Sequence, residues 1–312
     1  MVGVPAGRSV RVRVPATSAN LGPGFDTLGL ALNVHDHITV TATETPGVRV
    51  RVRGVGEGSV PQDERNLVAA TLLHVLRSAG CAVPGLEIVA ENGIPHGRGM
   101  GSSGAAIVAG ILAAKGLMEG VEEISDDDVL RIANELEGHP DNVAPAIFGG
   151  LTIAWVDDEG PHHQKLAVHR GVSLLLAVPV RELSTEVARS LQPESVPHRD
   201  AVFNLARAAL LVAALSQSPE LLLPATEDRL HQTYRAEAMP ETSSLVTALR
   251  SEGHAAVVSG AGPSVLVLCS DPEQRIRAAE LVEAADGDWQ AMLLAVDIAG
   301  ATVEVLPASE RR

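Results

Sequence analysis

Asn92-Gly-Ile-Pro-His-Gly-Arg-Gly-Met-Gly-Ser-Ser-Gly-Ala-Ala-Ile-Val-Ala-Gly-Ile-Leu-Ala-Ala-Lys115 is the stretch that decides the fold. Leu86, Ile88 and Val89 before it read as a strand, and the apolar run after it reads as a helix. Between the two lie Gly97, Gly99, Gly101 and Gly104, with Ser102 and Ser103 where the helix should begin. Glycine permits positive φ and lets another group approach the backbone closely. Serine at a helix start caps the first orphan N–H groups, while the remaining N–H groups and the helix dipole favour an anion. A strand, a glycine loop and a helix start make a phosphate cradle, although a glycine loop alone also serves as a plain turn.

Two familiar phosphate loops do not fit. The Walker pattern requires Gly-Lys-Ser/Thr, and this loop has no lysine. The dinucleotide fingerprint requires a different glycine spacing. Lys115 and Lys165 are the only lysines in the chain. A bound nucleotide must therefore be met by backbone N–H groups, arginine and a metal ion.

The 312 residues suit two domains or one large one, and aromatics are only 2%, so aliphatic side chains must fill the core. A net charge of −15 argues against nucleic acid as a partner, because a phosphate backbone needs a basic face. Cys81 and Cys269 do not make a disulfide framework, so a reducing cytoplasm is expected. The N-terminus does not read as a signal peptide and no apolar run reaches transmembrane length, so no membrane partner is expected.

Val10–Val14 alternates as a half-buried strand, and 15–24 reads as a loop before an apolar segment to Leu32. Stretches 37–43 and 48–53 read as neighbouring strands, and 66–78 as a helix whose end Gly80 and Pro84 mark. Ser125 or Asp126 caps a helix to Glu137, which Gly138-His139-Pro140-Asp141-Asn142 breaks. A strand over 151–156 and an exposed turn over 157–163 follow, where the first domain (1–160) gives way to the second (161–312). Beyond lie a strand at 172–178, helices at 184–191, 200–216, 242–252 and 272–285, and strands at 255–258, 265–269 and 293–298. The order is α+β rather than regular βαβ alternation, with only the last few residues frayed.

Three separated stretches resemble one family. Pro15-Ala-Thr-Ser-Ala-Asn-Leu-Gly-Pro-Gly-Phe-Asp26 resembles the first motif of the GHMP small-molecule kinases, in the form of the members that act on homoserine. Pro95–Ala106 resembles their second motif and Ser259-Gly-Ala-Gly-Pro-Ser264 the third, with order and spacing kept over almost the whole chain. Met100 stands for the usual leucine, Gly104 for the first alanine, and relatives often carry a longer insert between Glu137 and His139. The resemblance implies the GHMP kinase fold, with an N-terminal domain like the second domain of ribosomal protein S5 and a ferredoxin-like C-terminal domain. It also implies ATP-dependent phosphorylation of L-homoserine to O-phospho-L-homoserine, on the route to threonine, with Mg²⁺. A homodimer is compatible with it.

The resemblance assigns ATP phosphates to Pro95, His96, Gly97, Arg98, Gly99, Met100, Gly101, Ser102, Ser103, Gly104 and Ala105, and adenine to Asn66. A helix-start asparagine is equally a cap. Ser103 and Glu137 become metal ligands, since a hard cation prefers oxygen. Glu135, two residues away, competes for that role, and a simple cap or an exposed helix-end carboxylate is the plainer reading of the pair. The acceptor falls to Asn20, Asp26, His139, Thr185, Arg189, Arg235 and Gly260. Homoserine is a zwitterion, so Asp26 suits its ammonium and arginine its carboxylate. Alone, either arginine reads as a surface residue and His139 as a structural donor. Asn142 falls where some family members place a proton-accepting aspartate, and a neutral amide cannot accept that proton. No dedicated base is expected. Mevalonate or shikimate as acceptor would leave Asp26 without an ammonium, and an inactive binding protein would have no need of both Ser103 and Glu137. His35-Asp36-His37 and His162-His163 lack a third metal ligand.

Overall fold

The structure is a computed structural model that describes residues 3–82 and 85–307. Val10, Val12 and Val14 are buried on one side of β1 (Ser9–Ala19), with Arg11 and Arg13 opposite, as two-residue alternation requires. The strand runs on to Ala19 through a register shift at Pro15/Ala16, so half of the expected first-motif loop is strand. It pairs antiparallel with β2 (Leu28–Thr43), one strand where two segments were expected. β3 (Gly47–Gly54) is no neighbour of β2: β4 (Gly85–Asn92) lies between them, antiparallel to β2 and parallel to β3. Between β3 and β4 the chain crosses over through α1 (Leu67–Ser78). Pro84, expected to mark the end of α1, and the last few residues, expected to fray, lie outside the described residues.

α2 (Ser102–Leu117) is apolar on nearly every side, and its small residues let other elements close in around it. A Cβ on Gly110 would meet Thr71 Cβ at 2.7 Å and the Val68 carbonyl at 2.8 Å, so α1 rests almost backbone to backbone on α2. α3 (Asp126–Glu137) starts at a capping box, Ser125 and Asp128 bonding reciprocally, and stops at left-handed Gly138. α4 (Pro140–Phe148) follows at once, where the sequence predicts a break. Pro140 occupies its first turn, where a missing N–H costs nothing, and Pro145 in its interior hid the helical pattern. β5 (Leu151–Asp157) and β6 (Gly160–Leu166) form a hairpin, so His162 and His163 lie on a strand and not in the expected turn.

β7 (Ser173–Pro179) begins a second sheet. α5 (Thr185–Ser190), α6 (His198–Ser216), α7 (Leu222–Ala225), α8 (Gln232–Arg235) and α9 (Pro240–Ser251) lead to β8 (Ala255–Val258) and β9 (Val265–Cys269). α10 (Pro272–Ala284) and β10 (Trp289–Leu294) complete it in the order β10-β7-β9-β8, the 4-1-3-2 arrangement of a ferredoxin-like sheet. The strand expected at 293–298 is displaced to β10, because the chain turns away after Leu294. β11 (Thr302–Val305) then returns to β1, giving a seven-stranded first sheet, β11-β1-β2-β4-β3 with β5 and β6 attached to β2. That sheet draws on both sides of the 160/161 division expected from the sequence. Aliphatic side chains fill the cores of both layers. Among the described residues no helix is long and apolar enough to cross a membrane.

The return is pinned by Asp297. Its Oδ2 meets Arg13 Nη2 and lies 2.6 Å from His35 Nε2, and its Oδ1 accepts the Ala299 and Gly300 N–H groups at 2.9 and 2.8 Å. Removing one member of a buried ion pair strands the others. Asp297→Ala is therefore expected to destabilise the protein by about 3 kcal/mol at neutral pH, read as a lowered urea midpoint. An unchanged midpoint would show that β11 docks without this cluster.

Candidate active site

Three loops meet at the end of β1. Thr17 N–H donates to the Met100 carbonyl at 3.0 Å, and Gly260 N–H to the Ala19 carbonyl at 3.1 Å. Ser259 Oγ is hydrogen-bonded to the Gly99 carbonyl at 2.6 Å and to Ser18 Oγ at 2.9 Å. Gly99 has φ +69° and its Hα side faces Ser259, where a Cβ would collide with the carbonyl oxygen. The first loop is also strained: Asn20, Leu21 and Asp26 adopt positive φ, an uncommon state for residues with side chains. A cleft of about 170 Å³ opens where the loops converge.

Gly97 through Ser103 line this cleft, whereas Pro95, His96, Gly104 and Ala105 are not among its lining residues. The expected serine cap is absent. Gly101 takes the cap position in the left-handed region, so Ser102 and Ser103 are already helical, and among the described residues no side chain bonds the first N–H groups of α2. Ser103 Oγ instead donates to Glu137 Oε2 at 2.9 Å across from α3. Burial raises the pKa of Glu137, and the Ser103 hydroxyl works against that shift. Glu135 points the other way and pairs with Arg131 on the exposed face of α3.

Arg98 reaches the second sheet. Its Nε donates to the Pro179 carbonyl at 2.9 Å, its Nη2 to the Val180 carbonyl at 2.7 Å, and its Nη1 meets the His96 carbonyl and Glu182. The guanidinium thus ties the glycine loop to the segment that carries α5. Asn66 is spent on α1, its Oδ1 accepting Val68 N–H and its Nδ2 donating to the Pro61 carbonyl, and it does not line the cleft.

At the start of α4, His139 Nδ1 lies 2.7 Å from Asp141 Oδ1. Burial opposes charge on His139, but Asp141 outweighs it and the pKa is raised. Asn142 lines the cleft, and its Oδ1 accepts the Thr17 hydroxyl at 2.8 Å. Thr185 stands at the first turn of α5, and Arg189 forms a bidentate pair with Asp26 at 2.8 and 3.3 Å. Asn20 is consumed in support, accepting Asp26 N–H and donating to the Gly260 carbonyl, both at 2.9 Å.

Arg235 is 1% exposed, lines the cleft, and has no carboxylate within ion-pair distance among the described residues. Burial, and then the Arg189 cation, press its pKa down from the usual arginine value. A buried guanidinium without a counter-charge is expensive unless an anion completes it. Thr17 and Ala261, which lie in the first and third motifs without an assigned role, and Leu183 and Ser184 also belong to this centre.

The family models for the GHMP kinases N terminal domain and the GHMP kinases C terminal match residues 66–150 and 201–286. A homoserine kinase of Clavibacter michiganensis subsp. michiganensis is 67% identical over 301 residues, 96% of this chain and 95% of that one. A homoserine kinase of Streptomyces coelicolor is 50% identical over 95% of this chain and 94% of its own. Among solved structures, homoserine kinase from Cytophaga hutchinsonii superposes with a TM-score of 0.84 at 28% identity, covering 95% and 97% of the two chains. L. major mevalonate kinase in complex with R-mevalonate shares the fold, at a TM-score of 0.67 and 16% identity over 95% and 97%.

Asp36 sets the entry to the glycine loop. Its Oδ1 accepts Gly93 and Ile94 N–H at 2.8 and 2.9 Å, and burial raises its pKa to about 6 against those two bonds. A folded-state pKa above the ordinary carboxylate value of 3.8 means that the folded protein binds the proton more tightly. The resulting stability is fully present below the unfolded pKa and is lost as pH rises through about 6. Asp36→Asn keeps an acceptor oxygen and removes the titration. The stability of the wild type relative to Asp36→Asn is expected to fall by up to about 3 kcal/mol as pH rises across that window. A pH-independent difference in chemical denaturation would contradict it.

Proposed function

The chain belongs to the GHMP kinases, and on that premise we propose that it transfers the γ-phosphoryl group of ATP to the side-chain hydroxyl of L-homoserine, giving O-phospho-L-homoserine for threonine synthesis. The observation that carries the acceptor is that the buried Arg235, with no carboxylate at ion-pair distance among the described residues, shares one cleft with Arg189, whose bidentate partner Asp26 stands behind it and is not itself a lining residue. A zwitterion complements that arrangement: its ammonium suits Asp26, and its carboxylate suits the arginines. Relatives 67% and 50% identical over nearly the whole chain are homoserine kinases, which supports the same acceptor.

The glycine loop and the uncapped start of α2 receive the phosphates through N–H groups that no side chain claims. Ser103 and Glu137 present two hard oxygen donors 2.9 Å apart beside that helix start, a donor set that fits Mg²⁺ together with phosphate oxygens and water. When bound, Mg²⁺ would neutralise charge on the transferring phosphoryl group. His139, held toward its charged form by Asp141, acts as an anion partner and not as a base. Asn142, its oxygen occupied by Thr17, donates an N–H to the reacting oxygens. The hydroxyl proton passes late to a phosphate oxygen, which a loose transition state allows. Positioning and charge neutralisation supply the catalysis.

ADP release with Mg-ATP and a panel of alcohols tests this reading. L-homoserine is expected to support turnover well above mevalonate, shikimate and L-serine, and Glu137→Gln to lose most of it with partial recovery in excess Mg²⁺. Equal ADP release with and without homoserine would overturn the acceptor. Damage from Glu135→Gln in place of Glu137→Gln would move the metal site.

A further inference from the structure

His231 is 0% exposed and lies beneath the acceptor end of the cleft, where neither the motifs nor the proposed chemistry uses it. Its Nε2 is 2.7 Å from the Gly22 carbonyl in the first loop. A carbonyl only accepts, so Nε2 carries the proton. Its Nδ1 is 3.3 Å from Arg235 Nη1, and a guanidinium only donates, so Nδ1 presents its lone pair. The two contacts together fix one tautomer of a neutral ring. An imidazolium would instead set N–H against N–H. Burial, the largest influence on this ring, lowers its pKa and agrees with the neutral form.

The ring is also held from the side. Phe25 stacks on it with centroids 5.0 Å apart and planes at 24°, and the Arg235 guanidinium carbon lies 5.3 Å from the same Phe25 ring. Asp228 accepts the N–H groups of His231 and Gln232, which fixes the backbone that carries the imidazole. On Arg235, Nε donates to the Ala188 carbonyl at 3.2 Å and Nη1 reaches both His231 and the Gly260 carbonyl. Nη2 has no protein partner among the described residues. The protein supports engage Nε and Nη1, and Nη2 is left for an anion.

We propose that His231 is a positioning residue: as the neutral Nε2–H tautomer it joins the Gly22 carbonyl to Arg235 and holds the free edge of the guanidinium toward the acceptor's carboxylate. This rests on the assignment of Arg235 to the acceptor. His231 touches no substrate, and its effect is on homoserine affinity and not on phosphoryl transfer or ATP.

Two substitutions separate its halves. The asparagine oxygen occupies the place of Nδ1, so His231→Asn keeps an acceptor for Arg235. The glutamine amide reaches the place of Nε2, so His231→Gln keeps the Gly22 bond and loses the acceptor. Losing a hydrogen bond to a charged group is expected to raise the homoserine KM of His231→Gln by about 10- to 100-fold. Its KM for ATP and its kcat at saturating homoserine should stay within a few-fold of wild type, with His231→Asn recovering most of the loss. Arg235→Ala is the reference. If it raises the homoserine KM and His231→Gln does not, or if both His231 variants lose ATP and homoserine affinity alike, the positioning role is wrong. If Arg235→Ala leaves the homoserine KM unchanged, the acceptor assignment fails and this proposal with it. Should either His231 variant not fold, long-range ¹H–¹⁵N spectra of the wild type decide: a neutral Nε2–H imidazole between about pH 6 and 8 is expected, and an Nδ1–H form or an imidazolium overturns it.

Discussion

The hydrogen bond from the Ser259 hydroxyl to the Gly99 carbonyl, with Gly260 N–H on the Ala19 carbonyl beside it, is the constraint on which the site depends. Those bonds join loops from both sheets by backbone and small side chains, so the approach distance is set by the absence of bulk. Gly99 must be glycine for Ser259 to reach it. Once the loops are locked together, the start of α2, the end of α3, the start of α4 and the single turn of α8 converge on one cleft. Arg98 adds a second tie, from the glycine loop to the Pro179 and Val180 carbonyls at the end of β7, and Leu183 N–H donates back to the Gly97 carbonyl. Anything that shifts one loop shifts the others.

Charge is economised in the same place. The chain is strongly acidic overall, with two lysines, yet its cleft is lined by three arginines, Arg98, Arg189 and Arg235, and a histidine biased toward its cation. Local field and desolvation, not net charge, govern how a small anion is met. Arg189 is satisfied by Asp26 and Arg235 by no carboxylate among the described residues, so the two arginines are not equivalent. Arg235 is the more deeply buried, and its support comes from carbonyls and a neutral imidazole, groups that orient a cation without discharging it.

Much of this was legible in the sequence, for physical reasons that differ by element. Strands with clean alternation, such as Val10–Val14, and glycine-punctuated helices such as Asp126–Glu137 read directly. α4 did not, because Pro140 and Pro145 look like breakers although one sits at a permitted helix position. The β6 strand was masked by polar residues that suit an exposed hairpin, and β11 by its short length. Strand order was illegible: nothing local says that β4 inserts between β2 and β3. Within the site, the resemblance to the GHMP kinases brought Ser103, Glu137, His139, Asn142 and Arg235 to attention, where residue type alone reads Arg235 as a surface residue and His139 as a structural donor. Which end of each group is already spent appears only in three dimensions, as with Asn20, Asn66 and Arg98. The roles of His231 and Asp36 carry no motif signal, since each depends on backbone groups remote in sequence, the Gly22 carbonyl for one and the Gly93 and Ile94 N–H groups for the other.

The central claim is that this cleft reads both charges of a zwitterionic alcohol. It is tested most directly by comparing kcat/KM for L-homoserine, 4-hydroxybutyrate and 3-aminopropan-1-ol, which keep both charges, the carboxylate alone and the ammonium alone, in the wild type and in Arg235→Ala. The account predicts that the wild type loses on the order of a hundredfold or more when the carboxylate is removed from the alcohol, as for a desolvated charge pair, and that Arg235→Ala compresses that difference between L-homoserine and 3-aminopropan-1-ol to a small factor. Wild-type rates that are the same for all three alcohols, or a carboxylate preference that survives intact in Arg235→Ala, would contradict it.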